Sequence, residues 1–314
     1  MASTKAADRY LYQISYHEDE AELCFMEMRA LLGAEPEEGC IVTDRELPPS
    51  RSPFIRQRLA VLLEAAELDE LASAAAQLDM EGRTYKAIFV ATGGSQIYEE
   101  RLAIERQIGR SIRGRADMKQ PERLIGIAYA RGQWLLGELE RAEAAWLVHN
   151  QKPQPYSTAL STRVARAVAN IAAPYTEGVK VIDPCCGIGT VIIEAISMGI
   201  DIVGCDVNPL AVRGARTNLA HYGMPNVVRL LDMRQAEGSY DAAIIDLPYN
   251  LCSVMEPEER IEMLRSAGRL APRVVIVTTE QIDEDVAAAR LVIADRCVVR
   301  KSRFERQVLL CSRQ

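Results

Sequence analysis

Histidine is scarce in this chain: three residues in 314, at His17, His149 and His221. Eight cysteines include one adjacent pair, Cys185 and Cys186, but no Cys-x-x-Cys spacing. Zinc sites need closely spaced Cys and His ligands, so the pattern predicts no metal and reduced cysteines packed in the interior. No apolar run approaches a membrane span, and Met1 to Asp8 hold no apolar signal segment. Both absences predict a cytoplasmic protein without a membrane partner. There is no internal repeat and no excess of positive charge. A net charge of −7 argues against strong, indiscriminate nucleic-acid binding. The acidity is local, however. Lys+Arg against Asp+Glu is 7 to 16 over residues 1–80, 11 to 9 over 81–150, and 19 to 19 over 151–314.

What is present centres on residues 179–190. Val179 to Ile182 reads as a short buried strand, Gly187 and Gly189 as a turn, and Val191 to Ala195 as the start of a helix. Such a unit makes the ligand crevice of an open α/β sheet. A second strand, Asp201 to Cys205, ends in Asp206, about 20 residues on, where a carboxylate accepts bonds from ribose hydroxyls. The third glycine of a dinucleotide loop is missing, since Thr190, Val191 and Ile192 follow Gly189. That favours a nucleoside ligand without phosphates, and S-adenosylmethionine is one. A third strand, Val227 to Leu231, ends in Asp232, and Ala242 to Ile245 reads as a buried parallel strand leading into Asp246-Leu247-Pro248-Tyr249. Arg273 to Thr279 is a fifth strand, and Leu291 to Arg300 with Phe304 to Cys311 reads as a closing antiparallel pair.

Asp183-Pro184-Cys185-Cys186-Gly187-Ile188-Gly189-Thr190 together with Asp246-Leu247-Pro248-Tyr249 resembles the methyltransferases of exocyclic amino groups. Within them it is most similar to the THUMP-domain-containing tRNA guanine-N2 methyltransferases, class I enzymes of the UPF0020 type. Leu247 departs from the first proline of their Asp/Asn-Pro-Pro-Tyr motif. The resemblance implies a Rossmann-like α/β methyltransferase domain with S-adenosylmethionine as cofactor. It implies cofactor-binding positions at Tyr156, Asp183, Cys185, Cys186, Gly187, Gly189, Thr190, Asp206, Val207 and Asp232. For Cys186, packing is expected rather than nucleophilic work. Asp246, Pro248 and Tyr249 are the implied catalytic group. A base amino nitrogen is a poor nucleophile because its lone pair is delocalised into the ring. The Asp246 carboxylate and the Pro248 carbonyl can accept its N–H bonds, while Tyr249 offers a ring to a flipped-out base.

Towards the N-terminus, Tyr10 to Tyr16 alternates as a strand, Glu20 to Leu32 carries a helical stripe, and Arg58 to Gln77 reads as a helical stretch interrupted near Leu68. The run Arg106 to Glu122 resembles the end of a THUMP domain, an arginine-rich helix before an Ala-Asp-Met-x-x-Pro-Glu strand entry. The expected organisation is an α+β RNA-binding region over 1–148 (THUMP-like from about 80), a linker over 149–158 and a methyltransferase domain over 159–314. Arg106, Arg110, Arg113, Arg115 and Lys119, with Arg303 in the last hairpin turn, are candidate phosphate contacts. The plain alternative is a solvated face paired with Glu99, Glu100, Glu105 and Glu122. The expected reaction is methyl transfer to N2 of a guanosine in tRNA. Ribosomal RNA, N6 of adenine in RNA or DNA, and an RNA-binding protein without turnover remain alternatives.

Overall fold

A computed structural model describes residues 7–93, 97–156, 159–247, 255–301 and 304–314. The chain forms two compact units, Met1–Ser15 with Ala34–Glu143, and Tyr16–Gly33 with Ala144–Gln314.

Strand β1 (Tyr10–Ile14) opens the first unit. Helix α1 (Ala21–Leu32) then belongs to the second, closed by Gly33 in the left-handed region. The first unit resumes with β2 (Cys40–Thr43), β3 (Ile55–Ala65), α2 (Leu68–Ala75), β4 (Tyr85–Phe89), α3 (Tyr98–Ser111), β5 (Arg123–Ala130) and β6 (Gln133–Arg141). Its sheet runs β2-β1-β3-β6-β5-β4, with β4 and β5 parallel. Leu71 of α2 and Ile104 and Ile108 of α3 bury against Ile125 and Ile127 on one face.

The expected helix over 58–77 is corrected here. Residues up to Ala65 are strand, and only Leu68–Ala75 is helical. A bulge between Val61 and Leu63 is the cause. Leu59 and Val61 pack on one side of the sheet, while Leu63 and Ala65 pack on the other. The extra residue breaks the two-residue alternation, so Leu-Ala-Val-Leu-Leu reads like one side of a helix.

The second unit contains α4 (Ala145–His149), α5 (Thr162–Ala172), β7 (Lys180–Asp183), α6 (Thr190–Ser197), β8 (Asp201–Asp206), α7 (Pro209–His221), β9 (Val228–Leu230), β10 (Ala242–Asp246), α8 (Pro257–Leu270), β11 (Arg273–Thr278), α9 (Asp283–Ala288), β12 (Leu291–Lys301) and β13 (Phe304–Arg313). The sheet order is β12-β13-β11-β10-β7-β8-β9. Strands β7 to β11 run parallel to one another, and β13 runs antiparallel to β11 and β12. This is a Rossmann-like class I methyltransferase sheet. The strand order reverses between β7 and β10, which opens a crevice outside their carboxyl ends.

Two segments differ from the expected organisation. Helix α1 packs within the second unit: Asn170 of α5 donates to Glu27 (2.6 Å), and Arg29 pairs with Asp295 of β12 (2.8 Å). The segment expected as linker is also built in. His149 ends α4 and is buried, and the Gln154 N–H donates to Asn218 of α7 (2.9 Å).

Candidate active site

The glycine turn sits at the carboxyl end of β7. Gly187 and Gly189 have φ of +52° and +80°, values that β-carbon-bearing residues rarely adopt. A side chain at Gly189 would also press on Ala215, whereas the space beside Gly187 is open. Two side chains hold the turn. The Asp206 carboxylate accepts the N–H groups of Gly187 and Asn208, both at 2.8 Å. Buried Asn218 donates to the Ile188 carbonyl (3.1 Å). Asn218 escaped the sequence reading, because a single Asn within a helix carries no local signal.

Three carboxylates gather at this edge. Asp183 is buried; burial, then the charges of Asp246 and Asp206, push its carboxyl well above the usual range, opposed by a bond from the Cys185 N–H (3.3 Å). Asp246 ends β10, and burial pushes its pKa up to about 7, with the Arg306 guanidinium pulling the other way. Its Oδ1 is buried and has no hydrogen-bond partner among the described residues. The same holds for Thr190 Oγ1 at the start of α6. Buried polar atoms are almost always paired, so two orphaned oxygens at one sheet edge are what a polar ligand would complete. Arg306 was legible only as part of a basic hairpin, since nothing local links β13 to β10.

Leu247 occupies the place of the expected first proline. Its side chain is buried, and its N–H donates to the Val277 carbonyl at 2.9 Å, a ladder bond that proline cannot make. Pro248, Tyr249 and Arg303 lie outside the described residues. Asp232, at the end of β9, caps the following turn and pairs with Arg234 (2.5 Å), whose hydrogen bond lowers its pKa. Tyr156 and Val207 expose their side chains. Burial raises the Cys185 and Cys186 thiols far above the range where a thiolate forms, so packing suits them better than nucleophilic chemistry. No group of His, Cys, Asp and Glu among the described residues could hold a metal ion. No helix among them is long and apolar enough to cross a membrane.

The edge fits a nucleoside cofactor: an open glycine turn, a ribose-height carboxylate at Asp206, and an unsatisfied hydroxyl at the mouth of α6. Because Asp206 also ties down Gly187, Asp206→Ala removes two supports at once. Cofactor affinity is expected to fall by about 10- to 150-fold, from the roughly 1.5–3 kcal/mol of a charge-assisted hydrogen bond. Calorimetry on the folded variant checks this, and unchanged affinity would remove Asp206 from the site.

In the first unit, Arg106, Arg110, Arg113, Arg115 and Lys119 are all exposed, and none makes an ion pair among the described residues. Three of the four acids expected to pair with them are engaged elsewhere. Glu100 accepts the Ile97 N–H, Glu105 the Phe89 N–H and Glu122 the Thr84 N–H. Arg123 is different, being mostly buried and paired with Glu138.

Comparison with known proteins adds to this geometry. Residues 149–289 match the family model described as RMKL-like, methyltransferase domain. The chain is similar to a tRNA (guanine(10)-N2)-dimethyltransferase of Methanothermobacter thermautotrophicus, with 26% identity over 70% of each chain. A protein of the same description from Pyrococcus abyssi is 28% identical over 49% of this chain and 48% of its own. The mouse U6 snRNA (guanine-N(2))-methyltransferase THUMPD2 is 27% identical over 76% of this chain and 45% of its own length.

Proposed function

We propose that this chain, an S-adenosylmethionine-dependent methyltransferase related to the guanine-N2 methyltransferases of RNA, methylates the exocyclic N2 of a guanosine in tRNA. The observation that carries the reading is Asp246: a half-buried carboxylate at the mouth of the crevice whose Oδ1 is buried and unpartnered among the described residues. An ionised carboxylate there accepts an amino N–H and stabilises the positive charge that grows on nitrogen during attack. S-adenosylmethionine supplies an already activated methyl group, so no metal or covalent nucleophile is required of the chain. Asp206, Gly187, Gly189 and Thr190 hold and orient the cofactor. Asp183, Cys185 and Cys186 shape the floor of the turn, and Tyr156, Val207 and Asp232 complete the nucleoside side. The Pro248 carbonyl is the second acceptor, and the Tyr249 ring stacks on the base. The relatives named above support guanine N2 over adenine N6 and leave tRNA and small nuclear RNA as the two substrate classes, with tRNA favoured by the archaeal proteins.

Nucleoside mass spectrometry of transfer, small nuclear and ribosomal RNA after incubation with the protein tests this. N2-methylguanosine formed in tRNA is the expected product. N6-methyladenosine, or no methylated nucleoside in any of the three RNAs, would overturn it.

The arginines of α3 and of the segment after it are proposed to dock the same RNA in a THUMP-like manner. Replacing Arg110, Arg113 and Arg115 with Gln together should weaken tRNA binding. The log–log salt slope should fall by roughly 0.7–0.9 per lost phosphate contact, while cofactor affinity stays unchanged. A parental salt slope would reduce the cluster to a solvated face.

A further inference from the structure

At the amino-terminal edge of the parallel strands, α8, α9 and β13 enclose an open depression of about 690 Å³ lined by Arg265, Gly268, Arg269, Ala289, Arg290, Arg313 and Gln314. No Asp or Glu lines it. We propose that Arg265, Arg269, Arg290 and Arg313 form a phosphate-binding site, separate from the crevice at Gly187 and Asp246.

The register places it. Arg273 of β11 lies opposite Ser312 of β13, and Leu291 of β12 opposite Arg313, so Arg290 and Arg313 sit where β11 begins. Asp246 is level with Val277, four residues along β11, or about 13 Å at the rise of a strand. The two sites therefore occupy opposite edges of one sheet.

Three of the four guanidinium groups are anchored by carbonyls rather than by acids. Arg265 donates to the Ala288 carbonyl (3.1 Å), Arg269 to those of Ala236 (2.7 Å) and Arg234 (3.0 Å), and Arg313 to that of Gly268 (3.5 Å). A guanidinium has five donors, so several on each remain for a ligand. None of the four makes an ion pair among the described residues. Other arginines nearby do: Arg260 of α8 pairs with Glu280 and Asp285, and Arg296 of β12 with Asp283. Arg269 lies in the last turn of α8, where a cation complements the helix dipole. That explains one arginine, not the four drawn from α8, the turn after α9 and the end of β13. Four like charges brought together with no Asp or Glu side chain among the described lining residues favour a multivalent anion, and planar guanidinium groups bind phosphate oxygens in pairs. The open shape suits a phosphate reached from solvent, either in an RNA backbone or free in solution.

The test uses the full-length protein with Arg265→Gln and Arg290→Gln combined, both side chains being exposed. Salt-dependent tRNA binding and calorimetric titration with pyrophosphate are measured side by side. For an RNA backbone, the log–log slope should fall by roughly 1.4–1.8, two contacts' worth, and the Arg265→Lys, Arg290→Lys pair should restore it. For a free anion, saturable pyrophosphate binding should disappear while the tRNA slope stays parental. If the Gln pair retains both the parental slope and parental pyrophosphate behaviour, the proposal is overturned. Cofactor affinity, which belongs to the other edge, should be unchanged and reports correct folding. Because neither readout requires methyl transfer, failure here is distinguishable from failure of the proposed reaction.

Discussion

Asp246→Ala should lower the single-turnover rate of methyl transfer by about 10²–10³ at saturating cofactor, the scale for removing one preorganised electrostatic group. The loss should fall mainly on kcat, because positive charge develops on the amino nitrogen only as the bond forms. The pH profile carries a more specific signature. Burial raises the Asp246 pKa to about 7, and only the ionised form is a pure acceptor. With saturating substrates avoided, kcat/KM should rise about tenfold per pH unit below that midpoint and level off above it. Arg306 lowers this pKa, so Arg306→Gln should move the limb to higher pH. Asp246→Asn keeps an acceptor oxygen but does not titrate. It should retain part of the rate and lose the limb near neutrality. An Asp246→Ala variant with nearly the parental rate would leave RNA binding without turnover as the better reading.

Glu194→Ala should destabilise the second unit by about 3–5 kcal/mol, the cost of leaving a buried charge unpaired. Glu194 is fully buried on α6, and its two carboxylate oxygens serve Arg166 of α5 (2.8 Å) and His149 of α4 (2.7 Å). Arg166 also lies over the Trp146 ring at 5.3 Å. One carboxylate thus ties α4 and α5 to the helix that begins at the glycine turn. Replacing the pair by apolar residues, Arg166→Met with Glu194→Leu, should cost far less than Glu194→Ala, because no charge is stranded. Urea unfolding of both variants measures this. A Glu194→Ala loss below about 0.5 kcal/mol, the range of an ordinary surface substitution, would show that the cluster contributes little.

The methyltransferase half was legible because its signals are local. Gly187 and Gly189 mark a turn that only glycine enters freely, and Asp183, Asp206 and Asp246 each follow an apolar run short enough for a buried strand. In a parallel sheet, residues at the ends of such runs share one edge whatever the remainder of the chain does. The first unit was less legible. The bulge in β3 hid its alternation, and the alanine and leucine content favoured helix until pairing with β1 and β6 overrode it.

By itself, then, the sequence determined the strand–turn–helix of the cofactor edge, the closing β12–β13 pair and the arginine-rich character of α3, all set by backbone preference and pattern within a few residues. Only the tertiary structure decided the rest. It placed α1 in the second unit, brought Arg306 to act on Asp246, joined Glu194 to His149 and Arg166, left the arginines of residues 106–115 without acidic partners among the described residues, and gathered four arginines from α8, the turn after α9 and β13. Each depends on which face meets which. A periodic pattern shows that a helix or strand has an apolar side, but what covers that side is chosen by packing among segments distant in the chain.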